Sequence, residues 1–159
     1  MENDSANPYK APESEVASSA GGRLSEVFER FSAWGVFGLS LITLGLYAVY
    51  WLYTRTQQLN QKVEKPINSV YVTITLILYV MSFASNFVAI ADPAIGSVLT
   101  IAGLPSGIMM IVWVFMVRGR IHDYLNLEPG NPNRFGPLLT FFFSVLYLQY
   151  KINKTIDQE

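Results

Sequence analysis

Apolar positions along the chain gather into four stretches with short polar connections between them, and a polar segment, residues 1–30, precedes them. The stretches are Trp34–Tyr53, Val70–Ile90, Ile95–Val117 and Pro137–Tyr150. The second and third hold 21 and 23 residues without a charge. At about 1.5 Å per residue, each is long enough to cross a hydrocarbon core of about 30 Å as a helix. The pattern predicts an all-α integral membrane protein.

The connection between the second and third stretches is only Ala91–Ala94, "ADPA". Asp92 is a good N-cap, and Pro93 suits the first position of a helix. One helix therefore ends where the next begins, which predicts a central two-helix transmembrane hairpin.

The fourth stretch has 14 residues and would reach about 21 Å as a straight helix, too short to cross. The first stretch resembles the fourth in two ways. The segments Phe37–Asn60 and Phe135–Asn153 both begin with Phe-Gly. In each segment a threonine, Thr43 or Thr140, is followed by tyrosines seven and ten residues later. We read a weak internal repeat and expect both elements to be short re-entrant or interfacial helical elements that flank the hairpin.

The positive-inside rule agrees with this topology. Four transmembrane helices would divide the eleven Lys and Arg residues five to six, and three spans would divide them three to eight. If the first and fourth stretches both dip and return, all eleven lie on one side, which the rule prefers. Gly45, beside Thr43, suits the breaking point. The four-span and three-span arrangements remain alternatives.

Residues 1–22 are rich in Ser, Ala, Pro, Gly and Glu, which predicts a disordered tail. Its segment Asn7–Pro12, "NPYKAP", is either a short docking segment or part of a solvated tail. Residues 23–159 form a single helical membrane domain. Apolar side chains recur at helical spacing at Leu24, Val27, Phe28 and Phe31, and Ser25 is a plausible N-cap. This pattern predicts an amphipathic interfacial helix.

Composition excludes several functions. The net charge of −1 argues against nucleic-acid binding, and the absence of cysteine excludes disulfides and thiolate metal sites. The chain has a single histidine, His122, which is too few for a typical histidine-based metal or catalytic site. We interpret His122 and Asp123 as part of a solvated helix end. We expect no enzyme activity and no cofactor.

Helix packing is predicted at two places. Gly103 and Gly107 have G-x-x-x-G spacing, with Pro105 between them as a source of a kink. Ser82 and Asn86 share a stripe on the preceding helix that suits interhelical contact or a polar path for solute. We expect leucine at Gly103 or Gly107 to weaken packing more than leucine at Gly96 does.

Basic residues near the ends of the apolar stretches favour anionic headgroups. They are Arg55, Lys62, Lys65, Arg118, Arg120 and Arg134.

"TLGLYAVYWLY", followed by "QQLN" and by the C-terminal "YLQYKIN", resembles the bacterial membrane family catalogued as domain of unknown function 4234. The motif residues are Thr43, Gly45, Tyr47, Tyr50 and Trp51. The resemblance covers roughly Phe31 to Thr155 and implies a small bacterial inner-membrane protein without an established activity.

These features predict a non-catalytic assembly or accessory module of the bacterial inner membrane. Its N-terminal tail and C-terminus would be cytoplasmic. Its partners would be membrane lipid and either itself or another membrane protein. The alternative is a pore-forming or transport component.

Overall fold

The computed structural model describes residues 21–159, and every regular element in that range is a helix. One turn of 3-10 helix at Leu24–Glu26 precedes six α-helices. These are α1 (Ala33–Ile42), α2 (Leu46–Asn60), α3 (Ser69–Ala91), α4 (Pro93–Thr100), α5 (Gly103–Tyr124) and α6 (Pro137–Ile156). The predicted disordered tail lies outside the described residues, apart from Gly21 and Gly22.

The central hairpin is confirmed, and it turns where the capping signals place it. The Asp92 side chain accepts hydrogen bonds from the backbone N–H groups of Ala94 (2.9 Å) and Ile95 (3.1 Å). Pro93 occupies the first turn of α4. The chain therefore reverses within one residue, and α4 packs directly against α3.

Gly96 is the glycine at which the two arms of the hairpin come closest. A Cβ atom built there would lie 2.5 Å from the Cα atom of Ala89, so the backbones approach more closely than any side chain allows. The expectation that leucine is tolerated better at Gly96 than at Gly103 or Gly107 is therefore wrong for packing inside the hairpin. A Cβ atom at Gly107 would meet nothing within 4 Å.

The second arm of the hairpin is broken between α4 and α5. In a continuous helix, Pro105 could not donate a hydrogen bond to the carbonyl of Ile101, and its ring would clash with that carbonyl. Helix α4 consequently ends at Thr100, and α5 starts at Gly103. The predicted proline kink is thus present as a short turn.

Both arms of the hairpin are long and apolar enough to cross a membrane. Their most apolar windows, in Ser69–Ala91 and Pro93–Tyr124, have mean hydropathies of 2.0 and 2.1. Only 11% and 17% of these windows are buried inside the molecule. The core helix of a soluble protein is typically mostly buried, whereas both of these windows are mostly exposed.

Helices α1 and α2 form a short helical hairpin. The turn between them contains Leu44 at φ 52° and Gly45 at φ 91°, values that favour glycine. The rings of Phe31, before α1, and Tyr47, at the start of α2, lie 6.4 Å apart, so the chain has turned back on itself. A Cβ atom at Gly45 would lie 3.1 Å from the Tyr79 hydroxyl. The turn therefore reaches the middle of α3.

Helix α6 also turns back. Ser144, at φ 46° and ψ −124°, separates two helical arms. The Tyr147 hydroxyl accepts a hydrogen bond from the backbone N–H of Gly136 (2.8 Å). In a straight helix these residues would be about 16 Å apart along the axis, beyond the reach of one tyrosine side chain. The first and fourth apolar stretches therefore share a folded-back shape.

Part of the core lies at one end of the molecule, which we call the base: residues 23–31, 55–68, 118–136 and 149–159. The core continues from the base between the helices, where it includes Leu52, Trp113 and Leu148. The fully buried side chains of the base include Leu24, Phe28, Leu59, Ile121, Phe135 and Ile152. The predicted amphipathic helix at residues 24–31 is wrong, because Leu24 and Phe28 are buried in this core and only one 3-10 turn forms. Ser25 does not cap a helix; its N–H and hydroxyl bond the Glu159 carboxylate.

Candidate functional site

A buried polar network joins α2 to the second arm of α6. Trp51 and Arg55 are four residues apart and therefore share one face of α2. The Trp51 indole N–H donates to the Gln149 side-chain oxygen at 2.8 Å, and Arg55 donates to the same oxygen at 3.3 Å. Arg55 also donates to the backbone carbonyl of Glu29 at 3.2 Å. Gln149 and Arg55 thus together join three segments that are distant in sequence.

Arg55 is buried, with 8% of its surface exposed. Its guanidinium lies over the rings of Phe28 (5.2 Å) and Trp51 (5.7 Å), where cation–π attraction offsets part of the lost hydration. Burial lowers the pKa of Arg55, yet a guanidinium stays protonated in proteins. The expectation that Arg55 faces headgroups is therefore wrong.

The motif residues build the turn and the network. The Thr43 hydroxyl donates to the carbonyl of Leu39 (2.7 Å) and accepts from the N–H of Tyr47 (2.9 Å), so it joins the end of α1 to the first turn of α2. Gly45 supplies the positive φ of the turn, Trp51 binds Gln149, and Tyr50 is exposed. The "TLGLYAVYWLY" segment therefore forms the α1–α2 turn and contributes to the buried polar network.

A groove of about 400 Å³ runs between α3 and α5. On its inner side, a Cβ atom at Gly103 would lie 3.2 Å from the Ser82 hydroxyl, so these two residues pack within the hairpin. Asn86 and Gly107 face outward: Asn86 is exposed, and Gly107 borders open space. The four predicted packing residues therefore line one groove, two on its inner side and two at its open side.

His122 holds the loop before α6. Its Nε2 atom accepts a hydrogen bond from the backbone N–H of Phe135 (2.9 Å). Arg118 Nε donates to the Phe135 carbonyl (2.6 Å), so both backbone groups of Phe135 are bound. Only 3% of His122 is exposed, so the expected solvated helix end is wrong. Burial, with Arg118 and Arg134 nearby, lowers the pKa of His122 to about 4.

The other basic residues expected near headgroups lie at the base. Lys62 and Lys65 are exposed, and Arg118, Arg120 and Arg134 are partly exposed. Arg120 pairs with Asp123 at 3.2 Å. Within residues 21–159, no three His, Asp or Glu side chains are grouped closely enough to hold a metal ion.

A family model with the description "Domain of unknown function (DUF4234)" matches residues 31–123, which is more than half of the 159-residue chain. The chain belongs to the DUF4234 family. The match includes the α1–α2 turn, the central hairpin and His122, and it ends before α6. The C-terminal "YLQYKIN" therefore lies outside the matched range of this DUF4234 protein. Comparison with curated proteins and with solved structures found no match to either.

Proposed function

We propose that this DUF4234 protein is a non-catalytic assembly module of the bacterial inner membrane. The central hairpin crosses the bilayer, and the α1–α2 and α6 hairpins dip into it from the cytoplasmic side. The N-terminal tail and the C-terminus are then cytoplasmic. The partition of charge supports this placement: of the charged residues between 21 and 159, all but Asp92 lie at the base. Basic residues collect on the cytoplasmic side of inner-membrane proteins.

The exposed apolar surface supports the same placement. Large apolar side chains cover the outer half of the hairpin, where Ile90 and Leu104 are each 82% exposed. The short hairpins add Ile42 and Phe142 near their turns, 81% and 69% exposed. A continuous apolar surface of this size is untenable in water and suits contact with lipid.

The length of α1 argues against four or three spans. Both alternatives require Trp34–Tyr53 to cross the membrane as one helix. Helix α1 has ten residues, about 15 Å, and the chain turns back at Thr43–Gly45. The turn reaches Tyr79, ten residues into α3 and about 15 Å from its start. The dip therefore extends to about the middle of a 30 Å hydrocarbon core.

The groove between α3 and α5 supports assembly with a second copy of the chain. The Asn86 amide N–H groups bond to the carbonyls of Ser82 and Phe83 at 3.1 Å, within its own helix. Its side chain is exposed in a span that faces lipid, where a polar group is costly. Gly107 leaves room for close approach of another helix. A second copy packed here would cover Asn86 and fill the groove.

A pore or transporter has less support. The buried polar network around Gln149 is occupied by internal hydrogen bonds. The polar residues of the hairpin line one open groove between two helices rather than an enclosed path.

Cysteine labelling tests the placement, since the chain contains no cysteine. Single cysteines at Gln57, Ala94, Glu128 and Lys154 are treated with a membrane-impermeant maleimide in intact cells. Only Ala94→Cys should react, because the other three positions lie at the base. Labelling of Glu128→Cys or Lys154→Cys before the membrane is opened would contradict the topology.

Oligomer size tests assembly. Gly107→Leu and Asn86→Leu should shift the protein toward monomer in mild detergent. The neighbouring exposed positions supply matched controls, Ile108→Leu and Phe87→Leu, which should leave the size unchanged. The same size for all four variants and the parent would refute self-assembly through this groove.

A further inference from the structure

The tautomer of His122 is fixed by its neighbour. The backbone N–H of Phe135 can only donate, so Nε2 of His122, at 2.9 Å, must be the unprotonated nitrogen. The ring is neutral at physiological pH because it is buried among cations. Its single proton is therefore on Nδ1, which makes Nδ1–H a hydrogen-bond donor.

A second donor faces this proton. Arg134 Nη2 lies 3.3 Å from Nδ1 of His122. A guanidinium carries only donors and stays charged, so these two groups cannot satisfy each other. One acceptor placed against both N–H groups would satisfy the two donors together.

The surrounding charges favour an anion as this acceptor. Arg118 lies one helical turn before His122 and holds the Phe135 carbonyl, and the Lys151 ammonium lies 5.5 Å from the centre of the Phe135 ring. Within residues 21–159, no ion pair involves Arg118, Arg134 or Lys151. The nearest acidic neighbour of His122 in sequence, Asp123, already pairs with Arg120.

We propose that His122 Nδ1–H, Arg134 and Lys151, supported by Arg118, form a binding site for a phosphate group at the base of the molecule. Phosphate oxygens accept from several N–H donors at once, and arginine pairs with them in a bidentate manner. The site goes beyond the proposed assembly function and does not depend on it. The phosphate belongs either to a phospholipid headgroup or to a soluble anion.

The histidine ring offers a direct test, because His122 is the single histidine of the chain. In ¹⁵N-histidine-labelled protein, the ring gives one set of NMR signals that reports its tautomer and its hydrogen bonds. The ring should be the Nδ1–H tautomer, and the Nδ1–H signal should shift saturably with a phosphate ligand. A soluble source predicts the shift with inorganic phosphate in detergent. A lipid source predicts it only in nanodiscs that contain phosphatidic acid, and not in phosphatidylcholine nanodiscs.

Three variants complete the test. Arg134→Gln and Lys151→Gln should each weaken binding about tenfold, because each removes one charged contact to the anion. Lys65→Gln, an exposed cation elsewhere at the base, is the matched control and should bind as the parent does. Three results would each overturn the site. They are a ring with its proton on Nε2, no shift of the Nδ1–H signal with either phosphate source, and equal binding of phosphate by Arg134→Gln, Lys151→Gln and the parent.

Discussion

Gln149→Leu should destabilise the base strongly, because Gln149 is the shared acceptor of two buried donors. The substitution keeps a similar volume but leaves the Trp51 indole N–H without a partner and removes one of the hydrogen bonds of Arg55. A buried donor left unsatisfied costs about 1–3 kcal/mol, and more when the group is charged. Arg55 keeps its bonds to Glu29 and Gln58, so a total of about 3 kcal/mol is expected.

The assay is thermal unfolding in one mild detergent at one scan rate, followed by tryptophan fluorescence. At about 2–4 °C per kcal/mol for a domain of this size, the melting temperature should fall by about 6–12 °C. The control Gln57→Leu changes an exposed glutamine on α2, the helix that carries Trp51 and Arg55, and should shift stability by less than about 0.5 kcal/mol.

A double variant tests the physical reason. Arg55→Met combined with Gln149→Leu removes the cation that Gln149→Leu leaves under-paired, so it should be at least as stable as Gln149→Leu alone. Equal melting temperatures for Gln149→Leu and Gln57→Leu would refute the network as described. A double variant that is less stable than Gln149→Leu alone would refute it as well.

Three further predictions concern backbone geometry and pH. Gly96→Leu should lower the melting temperature more than Gly107→Leu does. A Cβ atom added at Gly96 would lie 2.5 Å from the Ala89 backbone, whereas one added at Gly107 would meet nothing within 4 Å. The reverse order of melting temperatures would contradict the hairpin packing. Ser144→Gly should stabilise the protein by about 1 kcal/mol and Ser144→Val should destabilise it, because φ is 46° there; a loss of stability in Ser144→Gly would exclude this turn. The pKa of His122 is lowered to about 4. Between pH 6.5 and 4, the unfolded chain therefore binds a proton that the folded chain does not. The free energy of unfolding should fall by up to about 3 kcal/mol as the pH drops through that window. His122→Gln should lack this component of the pH dependence, and identical pH profiles would contradict the assignment.

Local signals were enough to predict the turns of this fold. Asp92 and Pro93 carry the capping chemistry of the central hairpin in adjacent positions. Gly45 marks the α1–α2 turn because only glycine adopts its backbone conformation without strain. The repeat and the shortness of the fourth stretch predicted that α6 behaves like the first element, and the break at Ser144 gives it the same folded-back shape.

The interior of the base could not be predicted in the same way. Arg55 and Gln149 are 94 residues apart, and Ser25 and Glu159 are 134 apart. Periodicity along one helix says which residues share a face and nothing about which distant segment covers that face. Sequence patterns therefore place Arg55, Leu24 and Phe28 on surfaces, although the structure buries them.

The glycines show a related limit. The spacing of Gly103 and Gly107 indicates that a backbone can come close on that face of the helix. Which glycine actually meets the partner depends on the rotation of each helix about its axis. In this structure, Gly96 makes the close contact inside the hairpin and Gly107 remains open.

The depth of the two short hairpins is the most direct test of the central claim that they enter the bilayer and return. Spin labels on Ile42→Cys and Phe142→Cys, in sealed vesicles of otherwise cysteine-free protein, should collide with oxygen and be protected from a water-soluble nickel chelate on either side. Labels on Ala94→Cys and Gln57→Cys should each be reached by the chelate, from opposite sides of the membrane. If the chelate added on the Ala94 side reaches the label at position 42 or 142, that element spans the bilayer. If chelate on the Gln57 side reaches both labels freely, neither hairpin enters it.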